Sequence, residues 1–159
     1  MKKSLLLLCL AFTGIQYASA QDCNCMLELD ETFSVVPMSN GTAPDYRNDD
    51  GFSPEIALPF SFDLYGTAYD SCFINNNGNI SFGNGYFTFA SSGFPVNNFP
   101  MISAYWADVD TRNIGSGLVY YKITDHAMIV RYNEVGYFPN MVDQLNDFQI
   151  IISDGQSDL

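Results

Sequence analysis

The dipeptide Asn77-Gly78 lies at the centre of FINNNGNISF, residues 73–82, with apolar residues on both sides. Asparagine and glycine accept positive φ more readily than other residues. The pair is therefore the strongest short-range signal for a two-residue type I′ hairpin. Such a turn commits its flanks to antiparallel pairing and excludes a helix through the segment. Folding about the pair sets Phe73 opposite Phe82 and Asn75 opposite Ile80. Phe73, Ile80 and Phe82 then share one face, the expected core face. Asn75 and Asn77 are read as residues that satisfy turn geometry and backbone groups. A ligand role for these asparagines is the alternative.

The rest of the chain repeats this grammar of short strands and turns. Residues 58–65 alternate, with Leu58, Phe60, Phe62 and Leu64 on one face and Ser61, Asp63 and Tyr65 on the other. That pattern describes a half-buried strand. Pro59 cannot donate to a ladder, which places the start of the strand at a sheet edge, and Gly66 marks a turn. Upstream, residues 26–36 read as a first strand, and residues 37–54 as a polar loop rich in Gly, Asp, Asn and Pro. Downstream, residues 83–99 hold five aromatics among breakers. They read as a short strand followed by a long loop packed by its own aromatics, with an exposed aromatic platform as the functional alternative. Residues 101–107 read as a buried strand. Residues 118–123 and 127–135 form a second hairpin around Asp125 and His126, and residues 148–153 form a further strand. Asp154-Gly155 opens a turn that finds no later partner, so the chain is expected to be truncated at its C-terminus. No helical period is sustained and no repeat is present. The expected class is all-β, an antiparallel β-sandwich-like domain with long loops.

The N-terminus reads as a cleaved signal peptide of a bacterial type. Lys2 and Lys3 precede an apolar run over residues 4–12, and Ala18-Ser19-Ala20 is a small-x-small cleavage site. The run is too short to span a bilayer, which takes ~20 residues. The expected organisation is signal peptide 1–20, an N-terminal strand and polar loop 21–57, and the main domain 58–159. No transmembrane segment is expected in the mature chain, which should be secreted or held at the cell surface. Formal charge is −12, and loss of the two leader lysines takes it to −14. Such a surface repels phosphate backbones and anionic lipid, which excludes nucleic-acid binding. Three cysteines survive cleavage, and export permits disulfides. Cys23 and Cys25 are too close in sequence to pair comfortably with each other, so one of them with Cys72 is the expected bridge. A zinc site is not expected, because the Cys-x-Cys pair lacks a second ligand pair beyond His126. The sequons at Asn40 and Asn79 are expected to be unused.

The chemistry concentrates in PMISAYWADVDTRNIGSGLVYYK, residues 100–122. Trp106, the only tryptophan, is expected as a core aromatic. In an extended chain Trp106, Asp108 and Asp110 fall on one side. Arg112, two residues on, can offer a forked bidentate contact to the acids. The favoured reading is a structural clamp of Asp108, Asp110 and Arg112. A calcium site on the same residues is the second reading, because carboxylates and carbonyls suit a hard cation. No other cofactor is expected. A hydrolase using the Asp108/Asp110 pair is the third reading. It requires the carboxylates ~5–10 Å apart across a substrate, and no nucleophile motif supports it.

Four ordered segments, INNNGNISF (74–82), PMISAYWADVDTR (100–112), GLVYYK (117–122) and FQIIISDG (148–155), resemble the nidogen-like (NIDO) extracellular domain family. Ser103-Ala104-Tyr105 and Lys122 depart mildly from the family pattern. The resemblance covers roughly residue 58 to the end. It implies an extracellular, non-catalytic domain associated with cell–matrix adhesion, with matrix or surface proteins or glycans as partners. It assigns no binding residues.

Overall fold

The computed structural model of the chain describes residues 26–156, Asn98 excepted. The leader and the two candidate disulfide partners, Cys23 and Cys25, lie outside the described residues. Among the described residues eight strands form: β1 (Ser34–Val35), β2 (Ile56–Leu64), β3 (Thr67–Asn75), β4 (Asn79–Ser81), β5 (Met101–Ser103), β6 (Val119–Ile123), β7 (Ala127–Tyr137) and β8 (Met141–Ser153). They build two four-stranded antiparallel sheets, ordered β1-β6-β7-β8 and β2-β3-β4-β5. The sheets pack face to face around one core. Leu58, Phe60, Ile74, Ile80 and Phe82 enter it from one side, and Val119, Met128, Val130, Tyr132, Ile150 and Ile152 from the other. The chain is thus an all-β sandwich, as the alternation demanded.

Alternation places β2 as expected: Leu58 and Phe60 are buried while Pro59 and Ser61 are exposed. β2 is an edge strand, and Pro59 falls in the stretch between Ala57 and Phe62 where the ladder with β3 is interrupted. Proline is tolerated there because no ladder bond is required of it. Tyr132 ties the two sheets together. Its ring stacks on Phe148 at 4.4 Å and its hydroxyl, wholly buried, donates to the Asn75 carbonyl across the sandwich.

The hairpin register differs from expectation by one residue. Ile74 pairs with Ile80 and Asn75 with Asn79, so the β3–β4 loop holds three residues, Asn76 to Gly78. Only Gly78 has positive φ among them. A turn ending in one left-handed glycine suits a three-residue hairpin loop. A slip of one residue moves every side chain to the other face. Ile74 therefore joins Ile80 and Phe82 in the core, and Phe73 turns away to meet Phe52. The two-residue turn occurs one hairpin earlier, where Tyr65 and Gly66 both take positive φ between Leu64 and Thr67.

Three further differences have local causes. The first strand is only two residues long, and the segment before it is held by side chains instead of a ladder, with Leu27 N–H donating to Gln149 of β8 at 3.2 Å and Asp30 paired with Lys122 of β6 at 3.7 Å. β8 begins at Met141, well before residue 148, since its polar first half pairs only with β7 and faces water. The described residues of 83–99 contain no strand and form a loop held by its aromatics. Among the described residues Cys72 forms no disulfide, and its wholly buried thiol packs against the Met128 sulfur at 3.7 Å.

Candidate functional site

Three segments meet at one end of the sandwich: the polar loop 47–51, the β3–β4 turn 75–79, and residues 105–112 after β5. Asparagine amides join them. Asn75, wholly buried, donates to Asn79 Oδ1 at 2.7 Å and Ser81 Oγ at 2.9 Å, and accepts from the Tyr86 N–H at 2.7 Å. Asn76 donates to the carbonyls of both Asp49 and Val109. Asn77 donates to Asp50 Oδ1 and accepts from the Val109 N–H, each at 2.9 Å. Asn48 and Thr111 exchange backbone and side-chain bonds at 2.8–3.0 Å. Buried polar groups are tolerable when so paired, and an asparagine, with donor and acceptor on one short arm, can bridge two backbones at once. Burial of Asn79 also takes the second sequon out of reach in the folded chain.

Gly78 makes the close approach possible. A Cβ on it would lie 1.9 Å from the Tyr105 carbonyl oxygen, and its φ is +83°. The turn thus needs glycine for two separate reasons.

Asp110 and Arg112 come together and Asp108 does not join them. Asp110 is fully buried and takes the Arg112 guanidinium in a fork, Nε to Oδ1 at 2.9 Å and Nη2 to Oδ2 at 2.6 Å. The backbone N–H groups of Arg112 and Asn140 add bonds at 3.0 and 2.9 Å. Burial opposes the charge on Asp110, but these donors outweigh it and hold its carboxyl below the usual range. Arg112 also reaches Asp49 Oδ2 at 3.0 Å and lies 5.9 Å from the Phe138 ring centre.

Asp108 instead faces Asp49 and Asp50, which sequence reasoning had left in an undifferentiated loop. One carboxylate oxygen from each of the three lies within 4.8 Å of the others. Burial first, then the neighbouring Asp110, pushes the Asp49 carboxyl up to about 6. Burial and then Asp50 raise Asp108 as well. The Asn48-Asp49-Asp50-Gly51 run was the available signal. Only the fold shows that it meets residue 108.

Trp106 is not part of the central core. It is half-buried in a separate aromatic group, its indole N–H donating to the Thr88 carbonyl at 2.9 Å. Tyr86 and Phe94 meet it edge-on at 5.7 and 5.9 Å. Phe87, Phe89 and Phe94 of the same loop remain exposed, and a cleft of about 480 Å³ opens between this loop and the β2–β3 turn.

The fold and this loop-built polar end define a sandwich domain whose chemistry sits in connections rather than on a sheet face. The NIDO related family matches residues 27–158, and the chain belongs to that family. It is 36% identical to alpha-tectorin of Mus musculus over 84 residues, 52% of this chain and 4% of that protein. It is 24% identical to nidogen of Drosophila melanogaster over an alignment of 183 residues, 97% of this chain and 14% of that protein. Human alpha-tectorin is 33% identical over 84 residues, again 52% of this chain and 4% of that protein. The chain therefore spans a small fraction of the length of these curated relatives. No solved structure matches it significantly.

Proposed function

We propose that this chain is a secreted or cell-surface, non-catalytic interaction module that takes part in cell–matrix or surface adhesion. Membership of the NIDO-related family carries the reading, supported by similarity to nidogen and alpha-tectorin, proteins of the extracellular matrix. The geometry of Asp110 argues for the same side. Each of its oxygens accepts two hydrogen bonds, so it has no free lone pair directed at a substrate or an attacking water. The hydrolase reading of the Asp108/Asp110 pair loses one of its two carboxylates that way.

The partner we favour is a matrix protein with a basic, apolar-tipped surface. Each described lysine and arginine is already in an ion pair with an aspartate, on a chain of formal charge −12. Exposed Phe87, Phe89 and Phe94 supply rigid apolar contact area beside that acidic surface. The structural role of Arg112 is a clamp on Asp110 and Asp49, holding the loops that flank the aromatic segment. The test is solid-phase binding of the full chain to immobilised matrix proteins. Saturable, salt-weakened binding that Phe87→Ala with Phe89→Ala reduces is the expected result. Absence of binding, with cleavage of glycosidic or peptide bonds that Asp108→Asn abolishes, would overturn it.

A further inference from the structure

We propose that Asp49, Asp50 and Asp108 form a binding site for a hard divalent cation of the calcium type, beside the Asp110–Arg112 pair and not on it. The three carboxylates come from two loops distant in sequence and converge to within 4.8 Å of one another. Calcium holds its oxygen ligands at about 2.3–2.6 Å, so oxygens on opposite sides of the ion lie up to ~5 Å apart. The cluster fits inside that sphere.

Charge and hydrogen bonding point the same way. Among the described residues Arg112 is the one cation paired with this group, and it is spent on Asp110 and on Asp49 Oδ2. Asp50 has one oxygen on the Asn77 amide, and no hydrogen bond or ion pair falls on the Asp108 carboxylate among the described residues. A second observation is independent of the acids. Asn76 is wholly buried, and its Oδ1 accepts no hydrogen bond. Its Nδ2 is anchored on the carbonyls of Asp49 and of Val109, which follows Asp108, so this side chain bridges the backbones of the two loops that carry the acids. Asp49 Oδ1 is likewise buried without a donor. Both unpaired atoms are oxygens, and a buried acceptor lacking a donor is costly. A cation satisfies oxygens that no N–H reaches. Amide and carboxylate oxygens are the ligands calcium takes outside cells, where sites of millimolar affinity suffice.

This site is independent of the adhesion reading and is tested without any partner. The full chain is stripped with EDTA, dialysed, and titrated with calcium chloride by calorimetry, with melting followed in parallel. The expected result is saturable binding near one ion per chain, and a melting temperature that rises with calcium by mass action on the folded state. Asp108→Asn is expected to weaken calcium binding at least about tenfold while the metal-free protein melts no lower than wild type, since a repulsive charge is removed. Asp50→Asn serves as the second variant should Asp108→Asn fold poorly. Asp143→Asn, on the exposed half of β8, should bind as wild type does. No calcium-dependent heat or melting shift up to ~10 mM, an equal response to magnesium, or undiminished binding in both Asp108→Asn and Asp50→Asn would each overturn the proposal.

Discussion

The β2–β3 turn and the β3–β4 turn lie at opposite ends of one strand and both depend on a glycine at positive φ, yet they differ in almost everything else. Gly66 has nothing within 4 Å of where a Cβ would stand, and its neighbour Tyr65 is 99% exposed. Gly78 is pressed against the Tyr105 carbonyl, and its neighbours Asn76 and Asn77 are buried. The first turn only reverses the chain. The second is the hub through which loops 47–51 and 105–112 are held. Equal turn chemistry therefore carries unequal energetic weight, and the weight comes from what packs on the turn.

Substitutions sharpen that contrast. The largest effect is expected from Gly78→Ala, where a methyl 1.9 Å from a backbone oxygen adds to the left-handed φ. A loss of ~3 kcal/mol or more in urea unfolding is expected, or no cooperative fold at all. A melting temperature like that of wild type would show that the two turns are equivalent after all. Next comes Arg112→Ala, which leaves the buried Asp110 with only backbone donors. Because the Arg112 side chain is 42% exposed, a cost toward the lower end of the buried-pair range, about 3 kcal/mol, is expected. Arg112→Lys should restore part of the loss, since an ammonium cannot reproduce the fork.

Gly66→Ala is expected to cost only ~1 kcal/mol, the price of the left-handed conformation without a clash. At the preceding position the sign reverses. Tyr65 holds φ at +52°, which asparagine tolerates better, so Tyr65→Asn should be neutral or raise stability by up to ~1 kcal/mol. The smallest effect belongs to a third exposed turn, between β6 and β7, where His126 Nδ1 lies 2.9 Å from Asp154 Oδ2. The side-chain bond to His126, then the Gln156 N–H, holds the Asp154 carboxyl below its usual value. A depressed carboxyl stabilises the fold above its unfolded value of 3.8, and the contribution disappears as pH falls through the folded value. Asp154→Asn should accordingly narrow the difference between melts at neutral pH and near pH 3 only slightly.

Much of the sandwich was legible because alternation and turn residues are local signals. The Leu58 and Phe60 face of β2, the edge position of Pro59 and the hairpin about Asp125 and His126 needed only neighbouring residues to specify them. The β3–β4 register was not legible. Asn77-Gly78 is compatible with a two-residue or a three-residue loop, and the choice fell to the packing of Ile74 against the core and of Asn76 between two other loops. Trp106 shows the same limit: its size suggests core, yet the core was filled by Tyr132, Phe82 and Phe60, and the indole went to the aromatic loop. By itself the sequence determined that the chain would form antiparallel strands with acid-rich connections, because strand period and turn chemistry act over a few residues. Only the tertiary structure decided that Arg112 reaches across to Asp49 and that Asp108 meets Asp49 and Asp50. Those contacts join residues some sixty positions apart, and side-chain type alone does not say which distant loops a folded sandwich brings to the same end.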